Sequence, residues 1–146
     1  VYMGLSFALI VVLTFTLFAT QNDNSINSIK DLSSFLKEQK GEDIDRVVVF
    51  DYLLPSAAFY FDKPIVTIHD QNFLTRRETE FETDSTYKRN YINLPNEGEV
   101  KRFKDLLKQK NTLLILKKKK EFPDSLQYLL KAFPQTAEKG KWRVYY

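Results

Sequence analysis

Residues 1 to 21, VYMGLSFALIVVLTFTLFATQ, are an apolar stretch with no Asp, Glu, Lys, Arg or His, and Asp23 is the first charge in the chain. At about 1.5 Å of helical rise per residue, ~20 such residues reach the ~30 Å of a bilayer's hydrocarbon core. The pattern therefore predicts a membrane-spanning helix over 1–21. A signal peptide fits less well, because no basic start precedes the apolar run and Phe18-Ala19-Thr20-Gln21 is a poor cleavage site. A buried core helix normally keeps a polar stripe for water, and this run has none.

From residue 22 onward the pattern changes to one of short periodic segments, which predicts a separate α/β domain over 22–146. Ser25 or Asn27 can cap a helix over Asn27–Gln39, whose apolar positions Ile29, Leu32, Phe35 and Leu36 recur at helical spacing and which Gly41 closes. Arg46-Val47-Val48-Val49-Phe50-Asp51 reads as a strand buried on both faces and belongs at the sheet centre. Pro55 opens a short helix to Phe61, and Ile65 to Ile68 returns as a second strand. A strand-helix-strand unit of this kind is right-handed and makes its strands parallel.

Asp70 to Asn90 is rich in charge and hydroxyls and reads as an irregular excursion. Asn96 caps an amphipathic helix over Glu97–Lys108, with Val100, Phe103, Leu106 and Leu107 on one face. Thr112 to Leu116 is the third strand. Pro123 opens a last helix carrying Leu126, Leu129, Leu130 and Phe133, and Trp142 to Tyr146 is the fourth strand. The expected architecture is a three-layer α/β domain with a mostly parallel four-stranded sheet of order 2-1-3-4, its last strand at an edge and either parallel or antiparallel to its neighbour.

All 22 Lys and Arg fall after residue 29, interspersed with 19 acids, so the net charge of +3 is no nucleic-acid footprint. No Lys or Arg occurs between Gln21 and Ile29, which leans toward an extracytoplasmic domain. Cysteine is absent, so disulfides are excluded. The chain opens on Val1 with no basic stretch before the apolar run, as expected of a fragment of a longer reading frame.

The chemistry is sparse. The four glycines, at 4, 41, 98 and 140, lie too far apart for a phosphate-cradling loop. His69 is the only histidine, so neither a zinc site nor a nucleophilic triad has its partners, and no metal, cofactor or catalytic residue is expected in this segment. Asp51 and Asp70 both end strands and invite a paired-carboxylate reading, against which stands the common role of Asp in capping the next turn. The candidate binding residues are Tyr52, Tyr60, His69 and Asp70, with core packing as the competing role for the aromatics. Lys117, Lys118, Lys119 and Lys120 form a run that reads first as a solvated strand end. Its alternative is contact with lipid phosphates, at about 1 kcal/mol per lysine near an anionic surface.

The string from Asp45 to Val66, Asp-Arg-Val-Val-Val-Phe-Asp-Tyr-Leu-Leu-Pro-Ser-Ala-Ala-Phe-Tyr-Phe-Asp-Lys-Pro-Ile-Val, resembles the C-terminal part of bacterial polytopic glycosyltransferases. The similarity is to the aminoarabinose lipid A transferase and protein mannosyltransferase-like family, and Leu113-Leu114-Ile115-Leu116-Lys117-Lys118 adds to it. The resemblance implies a parent enzyme of the bacterial cytoplasmic membrane that moves a sugar from a polyprenyl-phosphate donor to a lipid, glycan or protein acceptor. It implies as partners the bilayer, the rest of a polytopic domain and a lipid-linked sugar or acceptor, and no nucleic acid. That family's catalytic acids sit in loops between early membrane helices, which nothing here matches. The segment itself is thus expected to be a noncatalytic accessory domain on the outer side of the membrane. The alternative expectation is a single-pass anchored module that binds a glycan or a protein.

Overall fold

Strand β1 (Arg46–Phe50) carries Arg-Val-Val-Val-Phe, and its last four residues are buried, which places it in the middle of the sheet. In the computed structural model, which describes residues 2–25, 29–41, 43–70 and 89–146, β1 has a parallel neighbour on each side. These are β2 (Ile65–His69), with Val47 beside Ile65, and β4 (Thr112–Lys117), with Val47 beside Leu113. β3 (Tyr91–Asn93) pairs in parallel outside β2. β6 (Trp142–Tyr145) runs antiparallel to β4, and β5 (Thr136–Lys139) folds back onto β6 through a turn at Gly140, whose φ of +54° suits a residue without a side chain. The order is β3-β2-β1-β4-β6-β5.

The alternation of side chains along each strand divides the core in two. Val47, Val49, Leu113, Ile115, Trp142 and Val144 face one way and pack against helices α2 (Lys30–Lys40) and α3 (Pro55–Phe61). Val48, Phe50, Val66, Ile68, Leu114 and Leu116 face the other way, against α4 (Glu97–Leu107), Phe122 and a 3₁₀ helix over Asp124–Ala132. Helix α4 is held there by Phe103, Leu106 and Leu107 at i, i+3 and i+4, all buried. Gly41 ends α2 at φ +61°, its N–H donating to the Lys37 carbonyl at 2.8 Å.

Several expectations are corrected. Among the described residues the sheet has six strands, not four, and the strand over 142–145 is covered on its outer side by β5 rather than standing at the edge. β5 escaped the pattern because Thr-Ala-Glu-Lys is short and polar, and backbone pairing rather than burial makes it a strand. β3 is only three residues long. The last helix is 3₁₀, which suits Leu126 and Leu129 three residues apart on a tighter turn. Helix α2 begins at Lys30 with Ile29 at its N-cap position, and Ser25 belongs to the preceding helix. Asn27 and residues 71–88 of the expected excursion lie outside the described residues.

The membrane-spanning helix is also corrected. Residues Tyr2–Ser25 form helix α1, which runs on into the polar Gln-Asn-Asp-Asn-Ser. Among the described residues no helix is long and apolar enough to cross a membrane. The apolar side chains described in α1 include Phe7, Ile10, Val12, Phe15 and Leu17. They are exposed, and Thr14 and Thr16 return their hydroxyls to the Ile10 and Val12 carbonyls at 2.7 Å.

Candidate functional site

The chain runs from β1 through α3 to β2 and later enters β4 on the opposite side of β1. The carboxyl ends of β1 and β4 therefore flank a topological switch point, the place where open α/β sheets characteristically receive ligands. Asp51, His69 with Asp70, and the lysine run Lys117–Lys120 fall at or just past the carboxyl ends of β1, β2 and β4 respectively.

Asp51 follows β1 with φ +50°, in the left-handed region that Asp and Asn tolerate better than most residues. Its N–H donates to the Ile68 carbonyl at 2.6 Å, tying the exit of β1 to β2. The bend turns its carboxylate inward, where the side chain is only 1% exposed. Lys120 Nζ reaches Asp51 Oδ2 at 2.6 Å, and the Asp70 N–H donates to Asp51 Oδ1 at 3.2 Å. His69 Nδ1 lies 3.6 Å from the same Oδ1, and the imidazole stacks on Tyr91 with ring centres 6.2 Å apart. One carboxylate thus binds the ends of β1, β2 and β4 together.

The lysine run divides by partner. Lys120 arrives by a turn in which its N–H donates to the Lys117 carbonyl at 2.9 Å, and Lys118 pairs with Glu138 at 3.2 Å. Lys117 Nζ sits 3.7 Å over the Tyr52 ring, which in turn packs on Trp142 at 5.4 Å. Burial, and then the neighbouring Lys141, hold the Lys117 amine below the usual lysine range. Glu138 is held below its usual range by hydrogen bonds from Arg143 and Lys118. Lys119 is exposed.

The structure brings together Tyr52, His69, Asp70, Lys117 and Lys120 of the residues singled out from sequence. Tyr60 instead lies on α3, edge-on to Phe59 at 5.3 Å, as a partly buried packing residue. Asp51 and Asp70 do meet, but through a backbone N–H rather than as two open carboxylates. The closure of Asp51 by Lys120 has no local signal in the sequence, because it depends on β4 lying beside β1. Among the described residues no group of three His, Cys, Asp or Glu is placed to hold a metal ion.

Comparison of the chain with protein-family models, curated proteins and solved structures finds no match in any of the three.

Asp70 offers a test of this geometry. Burial, and then the Asp51 charge, raise its carboxyl above the ordinary aspartate value, while Lys120 and His69 pull it down by less. A carboxyl whose folded value is raised favours folding while protonated and loses that contribution as pH rises through the raised value. Asp70→Asn is therefore expected to flatten the dependence of stability on pH over the range just above the ordinary aspartate value of about 4. Urea midpoints measured across that range read the slope, and a slope equal to that of the parent chain would refute the assignment.

Proposed function

We propose that this chain carries a noncatalytic accessory domain of a membrane glycosyltransferase that takes sugar from a polyprenyl-phosphate donor. The observation that carries the noncatalytic part is the closure of Asp51: a carboxylate 1% exposed and bound by an amine at 2.6 Å braces three strands and has no open face toward a substrate. An acid or base must reach the reacting proton within hydrogen-bonding distance. The transferase part is supported by the resemblance of the Asp45–Val66 string, whose Val-Val-Val-Phe residues lie in β1 and whose Pro-Ser and Phe-Tyr residues lie in α3. On this reading the domain sits beside the membrane portion of the enzyme, on the side where the lipid-linked sugar is used, and shapes acceptor access or stabilises the whole.

Two measurements test it. The reading frame upstream of Val1 is expected to encode a polytopic region with acidic loops, and a frame that begins within a few residues of Val1 removes the transferase. In the full-length enzyme, Asp51→Asn, His69→Ala and Asp70→Asn are each expected to keep turnover per folded molecule within about twofold. General acid–base groups contribute roughly a hundredfold or more, so a loss of that size in folded enzyme would make the domain catalytic.

A further inference from the structure

At the opposite ends of the strands, about 17 Å along β1 from the Asp51 cluster, lies a cavity of ≈ 660 Å³ between the start of β1, the start of β2, the segment before β3 and one face of α4. This volume is in the range of small-ligand sites, roughly 300–1,000 Å³. Its charged lining among the described residues is Arg46, Arg89, Lys101 and Arg102 against one carboxylate, Asp105. Residues 98, 101, 102 and 105 recur at helical spacing, so α4 turns Lys101 and Arg102, with Asp105 beside them, toward the cavity.

Two of the guanidinium groups have partners in the protein, Arg102 several and Arg46 one. Arg46 Nη1 donates to Gln109 Oε1 at 2.7 Å. Arg102 donates to Glu99 Oε2 at 3.1 Å, to the Tyr91 carbonyl at 3.3 Å and to the Arg89 carbonyl. Glu99 offsets part of the Arg102 charge, while Asp105 lies 3.9 Å from Lys108 and is partly offset itself. A guanidinium has five N–H donors in a rigid fork, a geometry that matches the oxygens of a phosphate; three of those on Arg102 are already given to Glu99 and to two carbonyls, so the donors for a ligand come chiefly from Arg46 and Lys101. A group held before the ligand arrives loses less conformational entropy on binding. Gly98 completes the wall: nothing lies within 4 Å of the position a Cβ would take there, so a side chain at 98 would extend into open space.

We infer that this cavity is a binding site for a phosphate group, either of a soluble phosphorylated molecule or of a lipid headgroup. A dianionic phosphate uses several cations at once, whereas a single carboxylate would leave most of them unanswered. The site stands on its own observations and does not depend on the transferase reading.

The test titrates the full chain with inorganic pyrophosphate by calorimetry and with phosphatidylglycerol vesicles by co-sedimentation, each for the parent, Arg46→Gln/Lys101→Gln, Gly98→Leu, and the charge-matched control Lys30→Gln/Lys131→Gln. The expected result is saturable binding of at least one probe that the Arg46/Lys101 pair weakens tenfold or more, that Gly98→Leu also weakens, and that the control changes less than twofold. Binding confined to pyrophosphate assigns a soluble ligand, and binding confined to vesicles assigns a headgroup. Since Gly98→Leu raises helix propensity at an exposed position, its melting temperature is expected to hold or rise, which separates occlusion from unfolding. Failure of both probes to bind, or equal weakening by the control pair, overturns the site.

Discussion

Replacing Asp51 with alanine is expected to lower folding stability by about 3 kcal/mol, because it removes one partner of a buried ion pair. Lys120 is more than a third exposed, which keeps the loss at the lower end of the range for such pairs. A second contribution is local. Alanine at φ +50° is more strained than aspartate or asparagine, so Asp51→Asn is expected to lose less than Asp51→Ala by roughly 1 kcal/mol. Lys120→Met leaves the carboxylate buried without its cation and is expected to be comparably destabilising. The double variant Asp51→Asn/Lys120→Met should then lose about 1–3 kcal/mol less than the sum of its two singles. Urea unfolding of the four proteins closes the cycle, and strict additivity would show that the 2.6 Å contact does not hold the strand ends.

Phe103→Ala is the larger perturbation, with an expected loss of about 4 kcal/mol. Phe103 is fully buried, stands with its ring centre 6.1 Å from that of Phe122, and joins α4 to Val48, Phe50, Leu114 and Leu116 of the sheet. Removing the ring leaves a cavity between two elements that are both fixed elsewhere, so the gap cannot fully close. Phe103→Leu, which keeps most of the volume, is expected to lose only about 1.5 kcal/mol. Chemical denaturation measures both. A loss under about 1.5 kcal/mol for the alanine variant would mean that α4 is not locked onto the sheet through this ring.

The central strands were legible because their sequences state burial directly. Val47-Val48-Val49-Phe50 and Leu113-Leu114-Ile115-Leu116 leave no polar face, and only an inner strand can hide both sides. Pro55, Gly41 and the Val100-Phe103-Leu106-Leu107 spacing marked α3, the end of α2 and α4 for equally local reasons. β3 and β5 were not legible, since Tyr-Ile-Asn and Thr-Ala-Glu-Lys become strands only when a neighbour offers its backbone. The reading of 1–21 as membrane-spanning rested on run length and absence of charge, whereas helix α1 continues through polar residues to Ser25 and, among the described residues, no helix is long and apolar enough to cross a membrane. At the candidate site the sequence marked the strand-end aspartates and the lysine run separately. That Lys120 meets Asp51 depends on β4 lying against β1, a relation no local pattern contains.

The two margins of the sheet bear on how copies of this chain behave toward one another. Among the described residues the outermost strand on one side is only three residues long, too short to template a further chain. On the other it carries Glu138 and Lys139, with Glu138 in the grip of two cations, so an incoming strand would have to strip those charges of water and partners. Both margins thus discourage edge-to-edge growth, and at high concentration the sheet should resist the intermolecular pairing that seeds aggregation.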